Sequence, residues 1–363
     1  MKLIETFRSP EHVKKIIDSI HSIVDTKKEY KIMEVCGTHT MSIARFGIRE
    51  ILPQNVKLVS GPGCPVCVIP QGEIDAIFSL IEQYDVTVAT FGDLLKVPGS
   101  KGETLLSYKA NGASIKIIFS PLDVVTLSRE MTNPVVFIGI GFETTAPAIA
   151  ALGKKIIEKD FNDIFIFPYN KTMPEVLKLL LLDKNLNIDG FICPGHVSVV
   201  TGESIYTPIV KAGKAAVIGG FEPVDILISI FEIIKQVNSE MFNVKNLYKR
   251  AVKNCGNIAA LRLIDDVFEP VDSAWRGIGI VKKSGLAFKG IYERLNVFNN
   301  FSITVGDYIE KPGCKCGDVL KGYIHPSACP LMGNGCTPEK PYGPCMVSSE
   351  GACSAYYKYN MSV

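Results

Sequence analysis

Cys64-Pro65-Val66-Cys67 places two thiols at a spacing that closes a disulfide or shares a soft metal. The pair sits in a Gly-Pro loop that runs into an amphipathic helix, whose positive dipole end favours thiolate. Upstream, Cys36-Gly37-Thr38-His39-Thr40 sets a thiol three residues before an imidazole, with two hydroxyls beside it. A lone cysteine at a strand end reads as a small buried residue. Next to a CxxC loop it reads differently, because three thiols and an imidazole are a donor set for iron or zinc. The residues alone do not choose between those metals.

Two further loops carry chemistry less specifically. Gly139-Ile140-Gly141-Phe142-Glu143-Thr144-Thr145 is a partial dinucleotide fingerprint that lacks its third glycine. Glu143 is equally well a first-turn acid favoured by a helix dipole or a group facing a metal-bound ligand. Cys193-Pro194-Gly195-His196 has no second Cys or His nearby in its own unit, so the structural reading leads, with His196 free to face a cleft. Cys255, alone in a helical-looking segment, reads as core.

The chain's last fifty residues hold Cys314, Cys316, Cys329, Cys336, Cys345 and Cys353, with 1, 12, 6, 8 and 7 residues between them. This is neither the CxxC knuckle of structural zinc nor the ferredoxin run. The segment is rich in Gly and Pro and short of apolar periodicity, so its order must come from crosslinks or a metal rather than packing. Six thiols exceed the four that one cluster or one zinc takes, which favours a four-plus-two division. In an extended Cys314-Lys315-Cys316 the two side chains point opposite ways, so one can ligate while the other pairs elsewhere.

Something must position these loops. From residue 31 a β-branched run, a Gly- or Pro-containing loop and an amphipathic helix recur: KIMEVC, VKLVS, VTVAT and SIKIIFS each open such a unit. The pattern restarts with PVVFIGIGF, DIFIFPYN, IDGFICPGHVS and KAAVIGGFEP. This predicts an α/β fold of two similar parallel-sheet domains, 31–131 and 132–238, joined near Thr132-Asn133-Pro134. A third, mixed domain is expected from 1–30 and 239–363, where one or two helices, a strand-and-turn pair and the cysteine tail follow. The unusual loops all fall at strand carboxyl ends, where open parallel sheets bind ligands, so the two domains are expected to face a cleft.

Composition narrows the classes. A net charge of +2 with scattered Lys and Arg argues against a nucleic-acid groove or an anionic membrane surface. No apolar run approaches a membrane span and the N-terminus lacks a secretory pattern, so a cytoplasmic setting is expected. There, clustered thiols mean metal or redox chemistry more often than structural disulfides.

The motifs CGTHT, GPGCPVCV, GFETTAP and CPGHVS resemble the HypD family of hydrogenase maturation factors. So does the tail, from GCKCGDVL to GPCMVSSEGACSAYY, and the resemblance runs nearly the whole length. It implies a scaffold with redox capability, rather than an enzyme of ordinary turnover, for building the Fe(CN)2CO unit of nickel–iron hydrogenases. It implies a HypC-like small chaperone as partner, a HypE-like cyanide donor and a [4Fe-4S] cluster. By the same resemblance Cys36 anchors the iron in transit, and Cys64 and Cys67 assist it or cycle as a redox pair. His39 and Glu143 then stand in the same cleft. Likeness to a ferredoxin:thioredoxin reductase site makes Cys314, Cys329, Cys336 and Cys353 the cluster ligands and Cys316–Cys345 the neighbouring disulfide.

Two rival readings stay in play: a disulfide reductase with no second iron, and a zinc-stapled binding protein. Cys36 separates the first, since a reductase needs only the CxxC pair. Metal content separates the second.

Overall fold

The computed structural model describes residues 2–306 and 312–361. Eight strands form where the β-branched runs predict them: β1 (Tyr30–Glu34), β2 (Val56–Ser60), β3 (Thr87–Thr90), β4 (Ile115–Ile117), β5 (Val135–Gly141), β6 (Ile164–Asn170), β7 (Gly190–Pro194) and β8 (Ala215–Gly219). Their pairings are parallel. β3, β5, β7 and β8 are buried along their whole length. Continuous apolar runs of this kind are what a parallel sheet covered on both faces requires.

The strands do not divide at 131/132. One sheet has the order β2-β1-β7-β8-β9, where β9 (Val244–Asn246) is a fifth strand that the sequence pattern missed. The other has the order β4-β3-β5-β6. Each sheet therefore takes strands from both expected halves. The chain leaves the first sheet through the helix Gln71–Gln83, builds the second between residues 87 and 170, and returns at β7. Periodicity identifies a strand but not its neighbour, because all eight runs are apolar enough to sit in either sheet. Thr132-Asn133-Pro134 is accordingly not a joint between domains. Asn133 Oδ1 accepts from Thr87 Oγ1 at 2.7 Å and the Pro134 carbonyl from Thr87 N at 2.8 Å, tying the entry of β5 to β3.

The expected third domain is also redistributed, with residues 1, 307–311 and 362–363 of it outside the described residues. The helix Pro10–Ile23 presents Val13, Ile16, Ile17 and Ile20 at helical spacing, and these pack on the first sheet's core with Ile226, Ile230 and Ile233 of the helix Pro223–Ser239. Of the segment expected to be one or two helices, only Ile258–Val267 is helical. Gly256, at φ +68°, breaks the chain ahead of it, and Asn257 caps it by accepting from Ala260 N. Cys255 is exposed in that turn rather than core. The hairpin β10 (Phe268–Trp275) and β11 (Gly279–Phe288) is antiparallel and lays Phe268, Leu286 and Phe288 on the core of the second sheet.

The cysteine tail has only short helical pieces, Cys316–Leu320 and Ala352–Tyr356 among them. Its attachment uses close backbone approach. A Cβ on Gly277, in the hairpin turn at φ +73°, would stand 2.1 Å from the Gly317 Cα. No helix among the described residues is long and apolar enough to cross a membrane.

Candidate thiol centres

Cys36 leaves β1 and occupies the N-cap of the helix Gly37–Arg45 in extended conformation. The CxxC loop is fastened against it. Gly37 N donates to Gly63 O at 2.9 Å, and Gly61 N donates to Glu34 O at 2.8 Å. A Cβ on Gly63 would lie 2.3 Å from Cys36 N, so only glycine lets the two backbones meet. The sequence expectation that neighbouring strand ends gather Cys36, Cys64 and Cys67 therefore matches the geometry, because β1 and β2 are paired. Cys64 and Cys67 are joined as a disulfide, and Cys67 N donates to the Cys64 sulfur at 3.3 Å. Cys36 is thus the free thiol of the three.

Burial pushes the Cys36 thiol up to about 11, and the nearby Glu350 carboxylate adds to the effect. The Thr38 and His39 backbone N–H groups pull the other way, because they face the sulfur from the first helical turn. The site is a neutral thiol with two donors ready for its anion. Such a group deprotonates when a cation arrives beside it.

The His39 backbone N–H faces the Cys36 sulfur, but its imidazole is engaged by another loop. Its Nε2 donates to Gly220 O at 2.9 Å, in the loop after β8, while its buried Nδ1 has no partner among the described residues. Phe221 lies against both His39 and His196, at centroid distances of 4.7 and 4.0 Å. Burial lowers the His39 pKa to about 4, which keeps the imidazole neutral. Cys193 is fully buried in β7, as its structural reading predicts, and burial pushes its thiol far up.

Glu143 follows β5 at the carboxyl edge of the second sheet. Its Oε1 accepts from Met173 N at 2.8 Å, at the start of the helix Met173–Leu182, while its buried Oε2 has no partner among the described residues. Glu143 thus serves a helix N-terminus, as the first reading has it, but that helix is the next one and not its own. Burial raises its pKa to about 7. Tyr206 is a buried phenol paired with Ser198 Oγ at 2.8 Å, and burial, with Cys193 next, pushes it well up.

All six tail cysteines line one cavity, together with Leu331, Met332 and Met346. Cys316 and Cys345 are thiols with sulfurs 2.9 Å apart, in contact rather than bonded. Cys316 is drawn toward thiolate by hydrogen bonds from Cys314 and Cys345, and Arg276 adds to this. Cys345 is pushed up by its hydrogen bonds with Cys316 and Cys353 and by burial. Thiols ringing an apolar space, one of them drawn toward thiolate, are donors that could hold a soft metal.

Three residues that link the two centres were not legible as functional. Arg276, in the hairpin turn, donates from its backbone N to Val68 O at 2.8 Å and from Nε to Ile69 O at 2.7 Å, just beyond Cys67. Glu350, in the tail, accepts from Thr38 Oγ1 at 2.6 Å. Ser348, two residues earlier, lies with its Oγ 3.4 Å from Asp93 Oδ2, after β3. The tail loop thus touches the carboxyl edges of both sheets. The acid in SSEG between two cysteines was the one available signal.

Fold and thiols together define a two-sheet α/β protein whose cysteines gather at strand ends and in a tail cavity. The chain matches the family model described as "HypD: Hydrogenase formation hypA family" over residues 11–360. It is 39% identical to the hydrogenase maturation factor HypD of Escherichia coli (strain K12) over 367 residues, covering 99% of this chain and 98% of that one. It is likewise 39% identical to hydrogenase maturation factor HypD2 of Bradyrhizobium diazoefficiens over 370 residues, covering 99% and 97%. The HypD of Cupriavidus necator is 38% identical over 368 residues, covering 99% and 97%. The chain belongs to the HypD family of hydrogenase maturation factors.

Proposed function

We propose that this chain holds the iron of the Fe(CN)2CO unit on Cys36 while its diatomic ligands are installed, together with a HypC-like chaperone and a HypE-like cyanide donor. The observation that carries the reading is Cys36 itself. It is a free thiol at a helix N-cap, with the Thr38 and His39 N–H groups directed at its sulfur and the CxxC loop locked on its backbone. Iron bearing strong-field ligands takes soft thiolate donors. The proton that Cys36 releases on binding has a near acceptor in Glu350, whose carboxyl is itself raised by burial and by Asp93.

The Cys64–Cys67 disulfide and the Cys316/Cys345 thiols form a redox couple in this reading. Two electrons and two protons pass from Cys316 and Cys345, which become the disulfide, to Cys64 and Cys67, which become thiols. Those two sulfurs are then free beside Cys36. Cys314, Cys329, Cys336 and Cys353 would hold a [4Fe-4S] cluster, which would relay two electrons, one at a time, from an external one-electron reductant and so, with two protons, return the Cys316–Cys345 pair to thiols. Arg276 keeps the Cys67 loop and Cys316 in one electrostatic field.

Infrared spectroscopy on anaerobically isolated protein with its bound chaperone tests the reading. Cys36→Ala is expected to lose the cyanide and carbonyl bands while keeping cluster absorbance. Bands that persist in Cys36→Ala would sink the scaffold and leave a disulfide reductase.

A further inference from the structure

β2 is an end strand of the first sheet, so one of its edges has no strand beside it among the described residues. The phase of its ladder sets which groups that edge presents. Tyr30 N donates to Asn55 O and Gly61 N to Glu34 O, each at 2.8 Å, at the two ends of the β1–β2 register. Parallel bonds alternate along a strand, so Lys57 and Val59 are the residues of β2 that bond β1. The N–H groups of Leu58 and Ser60 and the carbonyls of Val56 and Leu58 therefore point outward, and no other hydrogen bond among the described residues takes them. Such a row is a template for a further strand.

The edge is walled. A groove of about 580 Å³ is lined by β2 throughout and by Ile324, His325 and Pro326 of the tail. A Cβ on Gly322 would stand 3.4 Å from Ser60 O, so the tail turn closes the groove at the carboxyl end of β2.

Charge selects the occupant. Lys31 and Lys57 both line the groove and stand directly opposite each other in the register. Neither ammonium has an ion pair or hydrogen bond among the described residues. Like charges set opposite each other are destabilising. Of the other charges there, Arg49 is paired with the buried Glu34 at 2.9 Å, and Glu50 accepts from Asn360 at 2.8 Å. Glu29 is the remaining acid. A lysine on an edge strand by itself blocks self-pairing. A second lysine set against it in a walled groove exceeds that task.

We propose that this groove takes an extended, acidic segment of a partner protein, which adds to β2 as a strand and lays a carboxylate between Lys31 and Lys57. β2 leads directly into the loop of Cys64 and Cys67, and Pro326 is three residues before Cys329. A partner docked there sits beside the entry to each thiol centre. A second copy of this chain fits worse, because edge-to-edge pairing would bring the Lys57 side chains together. Docking at this groove needs no iron on Cys36.

The test uses the full chain with a fluorescent, capped peptide of alternating valine and glutamate as probe, and a lysine counterpart as control. Anisotropy is expected to show binding of the acidic peptide alone, weakening as salt is raised. Residue-resolved hydrogen exchange is expected to slow at the Leu58 and Ser60 amides, and not at Lys57 and Val59, which β1 already protects. Lys31→Glu/Lys57→Glu is expected to lose about tenfold in affinity for the acidic peptide and to gain binding of the basic one. No binding of the acidic peptide, equal binding of the two, or binding that leaves exchange at Leu58 and Ser60 unchanged overturns the inference. None of these outcomes depends on the variant folding. Protection of the same amides that rises with protein concentration, without peptide, overturns it too and assigns the edge to a second copy.

Discussion

Glu143 and His39 sit at opposite ends of one electrostatic problem: both are buried, and burial penalises the charged form of each. Glu143 binds its proton up to about pH 7 in the native protein against 4.5 in the reference state. Between those values the folded chain holds a proton the unfolded chain has lost. Its contribution is therefore most favourable below pH 4.5 and weakens as pH rises through 7, by about 3 kcal/mol in all. Glu143→Gln should remove that slope, so its urea midpoint should gain on wild type above pH 7 and match it more closely in acid. His39 runs the other way. Its pKa falls from 6.5 to about 4, so the neutral ring stabilises fully above pH 6.5 and loses that as pH falls through 4. His39→Gln should flatten acid unfolding across that window, read by circular dichroism against pH. A slope unchanged in the variant would place the titrating group elsewhere.

At the scale of elements, two backbone contacts hold the thiol centres in place. The approach of Gly63 to Cys36 leaves no room for a Cβ, and the obstacle is backbone that cannot swing aside. Gly63→Ala is expected to cost on the order of 2–3 kcal/mol in chemical denaturation. It should also speed alkylation of Cys36, because the CxxC loop must lift away. A Cys36 alkylation rate equal to wild type would show that the loop does not cover the sulfur. The hairpin turn makes the second contact. Gly277 combines a φ of +73° with a 2.1 Å approach to Gly317, so Gly277→Ala is strained on both counts. That variant should release the tail while leaving the sheets intact, seen as faster alkylation of the tail cysteines with retained far-ultraviolet circular dichroism.

Across the whole molecule, Lys171 ties distant parts together. Its ammonium is almost fully buried and bonds Glu73 of the helix Gln71–Gln83, Ser273 Oγ and the Ala274 carbonyl of the hairpin. Removing one partner of a buried pair leaves an uncompensated charge, so Lys171→Met should destabilise by about 3–5 kcal/mol. The double variant Lys171→Met/Glu73→Gln should recover part of that loss, because no charge is then left unpaired. Guanidinium unfolding of the four proteins measures the coupling. Strict additivity would show that the pair does not act as a unit.

Local chemistry was legible in the chain itself: β-branched runs gave the eight main strands, Gly- and Pro-containing loops marked their carboxyl ends, and the surplus of tail thiols pointed to more than one task. These signals are local because propensity and turn chemistry act over a few residues. Partner choice among strands was not legible. β1 pairs with β7 across some 160 residues, and nothing in either run distinguishes that neighbour from another apolar strand. The same holds for the helix Pro10–Ile23, whose stripe announces a buried face but not which sheet receives it. Arg276 and Glu350 take their meaning only from what the folded chain sets beside them, because a contact between distant segments is a property of a place. The sequence determined which thiols and buried polar groups this protein carries and in which loops they stand. Tertiary structure decided that Cys36 meets the CxxC loop, and that one tail reaches both sheets.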